Sequence, residues 1–470
     1  MPERQIYLLS PKELSPETIA VAFAKTSRSP ESFRQIAAGL TEEKSAQFHE
    51  KWVVGYGHAS VAEHAVLHLA IENVSRLAIE SIESNRLASY TEKSTRYQKW
   101  APDDFFIPSE LDANSLRDDY IETCRLLFQT YAESLDPLRS LVLKRAQRRE
   151  NETDEALDRR LRSQYVDVAR FLLPAASLAN VGMTANARVL ENMIRKMLSH
   201  RLAEVRSIGE QVKAVAKSEV PTLVKYADAA PYLVETIAAF DRLNSRVEHH
   251  HSDDSCTLVD YDTDGQEKVL AAALYHFGEM PLADALGYVK GLPDKDCGDL
   301  AGTLLNRLDA HDIPLRELEY CSYTFDLLMD QGAYAEFKRH RMMTQTAQRL
   351  TTRLGYAIPR LIVEAGLGSK YESAMRAAAN TFEKLRDFSP EIAQYIVPNA
   401  YNRRVLARFN LREAYAFCQL RTAPNAHFSI RRIAWRVYEA IRQVHPRLTG
   451  YMHLPDETSQ SVEEAYFAEC

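Results

Sequence analysis

The 470-residue sequence contains no C-x-x-C pair, no G-x-G-x-x-G or Walker loop, and no apolar run approaching the roughly 18 residues of a membrane span. Its six cysteines, Cys124, Cys256, Cys297, Cys321, Cys418 and Cys470, are scattered, which excludes a zinc-ribbon site and points to a reducing compartment. The missing glycine loops disfavour a Rossmann or P-loop nucleotide site. The start, Met1-Pro2-Glu3-Arg4-Gln5, lacks a basic segment followed by an apolar one, so a cytoplasmic protein with no membrane partner is expected. Tryptophan is scarce, and Trp52, Trp100 and Trp435 read as packing residues rather than ring-stacking platforms. Positive charge is not in excess: 58 Lys and Arg against 65 Asp and Glu leave a net charge of -7. That balance argues against a nucleic-acid polymer held through its phosphates, whereas a single nucleotide in a local basic cleft fits. What is present, 46% hydrophobic and 26% charged residues, is the composition of a globular protein. The length exceeds one typical core, so two domains are expected.

The chain divides near its middle. Residues 241–267, with His249-His250-His251 and five later aspartates, show little helical period and read as a linker between domains at 1–240 and 268–470. Adjacent histidine side chains diverge, so no metal site is assigned to them. A charged stretch at 144–162 reads as an insertion. The two halves repeat one another. Leu173-Pro174 followed by Asn186-Ala187-Arg188 matches Val397-Pro398 followed by Asn410-Leu411-Arg412 at the same spacing. A strand-like segment comes earlier in each half, at 65–71 and 321–325, and leads into a helix that ends at a basic signature. Apolar residues at three- and four-residue intervals predict late helices at 190–215 and 430–444, so each half is α+β with helices predominating around a small antiparallel or mixed sheet.

The basic signatures are Ser84-Asn85-Arg86-Leu87-Ala88-Ser89-Tyr90-Thr91-Glu92-Lys93-Ser94-Thr95-Arg96-Tyr97 and Arg339-His340-Arg341-Met342-Met343-Thr344. With Gly57-His58, Glu63-His64 and the Asn186 helix in the first half, and Asn410, Leu420-Arg421 and Ala426-His427 in the second, the chain resembles the flavin-dependent thymidylate synthases in both halves. That family carries R-H-R, seven residues, then Ser-x-Arg, with a glutamate two residues before the serine. The departures are complementary. The first copy has Ser84 and Asn85 in place of Arg and His but keeps Glu92, Ser94 and Arg96, and Arg170 matches a nucleotide-contacting position. The second keeps Arg339, His340 and Arg341, has Ala347, Arg349 and Thr351 in the tail, and has Gln394 opposite Arg170. Arg421 matches the arginine beside the uracil ring, where the first copy offers Arg195 or Lys196. Glu336 and Thr344 stand where the family usually has Gln and Ser.

In the family the nucleotide site lies between subunits of a homotetramer, one bringing R-H-R and the ring arginine, another the tail. The resemblance therefore implies one composite site per domain pair, in a homodimer that rebuilds a pseudo-tetramer. Arg96 and Arg170 would meet a phosphate by bidentate charge-assisted bonds, with Ser94 as a neutral donor and Glu92 accepting from a sugar hydroxyl or a bound cofactor. Arg421, with Ser94 the candidate catalytic residue, would stabilise the deprotonated uracil ring electrostatically. Arg339, His340 and Arg341 would hold FAD and its phosphates, Arg339 also reaching substrate, with Asn410 and Arg412 in support. The implied reaction converts dUMP to dTMP with methylenetetrahydrofolate and NADPH as co-substrates. Two alternatives stand beside it: modification of another pyrimidine nucleotide, and a non-catalytic protein that keeps the fold.

Overall fold

The computed structural model describes residue 7 and residues 9–27, 29–96, 100–244 and 255–468. The His249-His250-His251 run lies outside the described residues. The chain forms two compact units, Met1–Ser94 with Asp104–Arg117 and Ala176–His249, and Thr95–Asp103 with Asp118–Ala175 and His250–Cys470. Among the described residues, no helix is long and apolar enough to cross a membrane.

The first unit is built on a three-stranded antiparallel sheet, β1 (Val66–Ser75), β2 (Ala88–Glu92) and β3 (Leu178–Asn186), in the order β1-β3-β2. Register runs from Val66 opposite Asn186 to Ser75 opposite Leu178, and Ala88 to Glu92 face Ala185 to Val181. Helix Arg76–Glu83 starts where the Ser75 Oγ accepts from the Ala78 N–H at 2.9 Å, which satisfies a donor the helix cannot satisfy itself. Ala187, Leu190, Met193, Ile194 and Met197 recur on one buried face of helix Ala187–Leu198. The helix expected over 190–215 is two helices. Ser199 ends the first, its Oγ bonding the Arg195 carbonyl at 2.7 Å, and Ala203–Ala216 begins after an extended Leu202.

The second unit repeats this plan with a fourth strand. β4 (Cys256–Tyr261), β5 (Ser322–Asp330), β6 (Thr344–Ala347) and β7 (Asn402–Asn410) pair antiparallel in the order β4-β5-β7-β6. Tyr323, Phe325, Leu327 and Met329 of β5 and Val405, Ala407 and Phe409 of β7 alternate into a core shared with helices Leu411–Thr422 and Phe428–Val444. The repeat seen in the sequence is structural. β3 and β7 each end on an asparagine, Asn186 or Asn410, whose side chain accepts from the backbone three residues on at 2.9 Å and so starts the next helix.

Two sequence expectations change. Residues 241–267 are not simply a linker: helix Pro231–Asn244 ends in that range, β4 pairs with β5 from Cys256 opposite Leu327 to Tyr261 opposite Tyr323, and helix Gly265–Phe277 begins there. Half-exposed residues alternate with exposed ones along β4, as suits an edge strand, so its apolar pattern is weak. Nor is 144–162 an irregular insertion. Helix Leu116–Arg145 runs into it, and helix Asp154–Ala169 starts at a Thr153 cap, burying Leu157, Leu161 and Tyr165 at four-residue intervals among many charges. Residues 118–175 moreover belong to the second unit, so a boundary near 240 does not separate the two.

Candidate functional site

In the second unit, Leu173-Pro174 and Val397-Pro398 face each other across an isolated antiparallel bridge between Pro174 and Pro398. Ala175 donates to Val397 at 2.9 Å and Asn399 donates to Leu173 at 3.0 Å. This pairing fixes the turn Arg170–Leu172, whose first residue is a candidate ligand arginine, because the Asn399 side chain also donates to the Arg170 carbonyl at 3.0 Å. Helix Gln331–Phe337, capped by Asp330, carries Glu336 and delivers the chain to Arg339-His340-Arg341. Helix Leu411–Thr422 brings Arg421 in its last turn.

Around these elements a chain of charges closes. Arg96 forks onto the buried Asp167 carboxylate, Nε to Oδ1 at 2.8 Å and Nη2 to Oδ2 at 2.7 Å. Arg170 reaches the same carboxylate at 3.2 Å, the Thr95 hydroxyl at 3.0 Å and Glu336 Oε1 at 3.9 Å. Arg421 donates Nη1 to Glu336 Oε2 at 2.7 Å, Nη2 to the Glu336 carbonyl at 3.2 Å and Nε to His340 Nε2 at 3.0 Å. Since His340 Nε2 accepts, Nδ1 carries the proton and donates to Glu413 at 3.0 Å. His427 is ordered likewise: Nδ1 accepts from the Ser429 N–H at 3.1 Å, and Nε2 donates to the Asp167 carbonyl at 3.2 Å. Side chains contributed by the first half of the sequence, Thr95, Arg96, Asp167 and Arg170, thus join Glu336, His340, Glu413, Arg421 and His427 from the second.

Burial and charge set the protonation of this cluster. Burial would lift the Asp167 carboxyl, but the Arg170 and Arg96 guanidiniums outweigh it and hold it below its ordinary value. Burial lowers the Arg421 guanidinium, with Glu336 opposing. Burial also pushes His340, His427 and His445 below the ordinary 6.5 of an imidazole. The unfolded chain therefore binds more protons than the folded one just below pH 6.5, so this contribution to stability is intact above that value and lost as pH falls through it. The melting temperature should drop between about pH 7.5 and about pH 5.5 in calorimetry; a constant value across that window would contradict neutral, buried imidazoles.

The other candidates fall in different places. Glu92 ends β2 in the first unit and pairs with Arg76 at 3.0 Å, and Ser94 follows on an exposed stretch. Arg339 is exposed and Arg341 half-buried. His340 is buried, its ring set between Glu413 and Arg421. Asn410 Oδ1 is spent on its helix cap, and Arg412 donates to the Pro314 carbonyl at 2.8 Å and to Glu319 at 2.9 Å. Both still line a cavity of about 250 Å³ with Met342, Ile313, Glu413 and Tyr415. That cavity is smaller than the roughly 300–1,000 Å³ of most ligand sites, so it would take one ring system and not a whole dinucleotide. Sequence reasoning missed Asp167, Glu413 and Thr95 as members of the site. Asp167 lies three residues before Arg170 and Glu413 three after Asn410, spacings that place each pair on one helical turn.

The sequence profile of the family described as Thymidylate synthase complementing protein matches residues 9–222 and 257–447. The chain belongs to that family. A Chlamydia muridarum protein designated UPF0159 is 32% identical over 435 residues, covering 88% of this chain and 82% of its own. A flavin-dependent thymidylate synthase of Clostridium tetani is 29% identical over 215 residues, 45% of this chain and 82% of that protein. A solved structure of the flavin-dependent enzyme from Helicobacter pylori, complexed with FAD and dUMP, aligns over 43% of this chain and all of its own at 16% identity, with a TM-score of 0.32.

Proposed function

We propose that this protein is a flavin-dependent enzyme that modifies the ring of a pyrimidine nucleotide, with conversion of dUMP to dTMP as the expected reaction and methylenetetrahydrofolate and NADPH as co-substrates. The observation that supports it best is the convergence of Arg96 and Arg170 with Arg421 and His340 in one compact unit. Arg421 would stabilise negative charge on the uracil ring, and its three hydrogen bonds to Glu336 and His340 hold the fork in place before substrate arrives. Arg96 and Arg170 would receive the sugar-phosphate side. Arg339, Arg341, Asn410 and Arg412 would hold FAD, which supplies hydride transfer when bound. Two chains would form the assembly.

The test is direct. Purified protein should carry about one FAD per chain and form dTMP from dUMP, methylenetetrahydrofolate and NADPH. Absence of flavin would sink the reading. Flavin that is reduced without dTMP formation would favour a second reading, a different pyrimidine ligand. Glu336, an acidic side chain among the proposed substrate arginines, speaks for that alternative.

A further inference from the structure

The arginine cluster already holds a negative charge where a ligand's would go. Glu336 lies between guanidiniums drawn from opposite halves of the sequence, its two oxygens 2.7 Å from Arg421 Nη1 and 3.9 Å from Arg170 Nη2. Its side chain and those of Arg170 and Arg421 are 15%, 15% and 12% exposed, so these charges meet largely out of water and are weakly screened. Asp167 occupies the fork of Arg96 and shares Arg170 Nη2 with Glu336, lying 3.2 Å from it. His340 and His427 add no charge, since each has one ring nitrogen accepting and the other donating. Arg170 and Arg421 are thus bridged by an internal carboxylate. A phosphate monoester, carrying between one and two negative charges near neutral pH, would have to displace that carboxylate or lie beside a like charge. Arg339 adds a positive charge near Arg421, so the carboxylate shifts the preference of the cluster without abolishing anion binding.

We propose that Glu336 is the substrate-charge selector of this site: it fills the anion position shared by Arg170 and Arg421. The carboxylate therefore cuts the gain in affinity that a phosphate monoester dianion would otherwise draw from these arginines over the uncharged nucleoside. This inference rests on the reading of the cluster as a pyrimidine site and specifies the charge of what enters it. The mechanism is exclusion by a like charge, which sets specificity by weakening the wrong ligand.

Calorimetric titration of the flavin-loaded protein with deoxyuridine, dUMP and inorganic phosphate tests it. Wild type should bind dUMP less than about tenfold more tightly than deoxyuridine, a ratio that needs no variant. Glu336→Gln, which keeps shape but removes the charge, should gain about tenfold or more for dUMP and for inorganic phosphate relative to any change for deoxyuridine. Glu336→Asp, which keeps the charge, should show no phosphate gain. A wild-type protein that prefers dUMP by far more than tenfold, or a Glu336→Gln protein with unaltered phosphate and dUMP binding, would overturn the proposal. Should neither pyrimidine bind any form, the pyrimidine reading fails, and the inorganic phosphate comparison alone still decides whether Glu336 blocks an anion.

Discussion

Arg421→Ala should lower turnover by about 100- to 1,000-fold, with a smaller change in KM, because the guanidinium is positioned for charge that develops on the ring during reaction. The effect is expected to be large because the fork is assembled in advance. Arg421 is anchored through Nε by His340 and through both terminal nitrogens by Glu336, so little reorganisation is left for the moment of reaction. Lysine should not restore the rate, since an ammonium cannot reproduce three divergent planar donors. Flavin content, measured by absorbance, should remain near wild type and so separate a lost ring contact from a lost fold. Turnover within about threefold of wild type would remove Arg421 from the reaction.

Asp167→Ala should cost about 3–5 kcal/mol of unfolding free energy, because it strips from a buried cluster the carboxylate that holds the Arg96 fork and lies nearest Arg170. Urea denaturation followed by circular dichroism reads this as a lower midpoint at unchanged slope. Asp167→Asn should lie between, keeping an acceptor for Arg96 but not the charge. The sensitivity should fade at acid pH: Asp167 is held below its ordinary value, so its stabilisation is present above the unfolded carboxyl value of 3.8 and lost as pH falls through the folded one. An alanine variant as stable as wild type would mean that Arg96 and Arg170 find other partners.

Much of this was legible in the sequence because the repeat is written in residues with fixed local duties. Asn186 and Asn410 cap helices, and Leu173-Pro174 and Val397-Pro398 mark equivalent turns, so their matched spacing carries directly into matched strands and helices. Arg96, Arg170 and Arg421 were likewise readable as candidates, and the structure gathers them on two carboxylates. The carboxylates opposing them were not. Asp167 and Glu413 belong to no compact motif, and their roles come from which side chains the fold brings within 3.2 Å. Glu336 was visible as a departure, but its position between two arginines depends on the meeting of helix Gln331–Phe337 with the turn at Arg170. β4 was hidden for another reason: an edge strand with one weakly covered face has little hydrophobic alternation to detect. Helix Asp154–Ala169 was hidden by composition, since its buried residues are outnumbered by charges.

Residues 95–103 and 118–175 are encoded within the first copy yet fold with the second unit. Ordinarily, two tandem copies can be inherited as separate cassettes, either of which can be lost or transplanted while the other persists. Here that freedom is gone, because a break anywhere between the copies would strand Arg96 and Arg170 on one fragment and Arg421 on the other. The borrowed segment leaves the second copy without a complete unit of its own, so the chain no longer divides at the boundary its repeat marks.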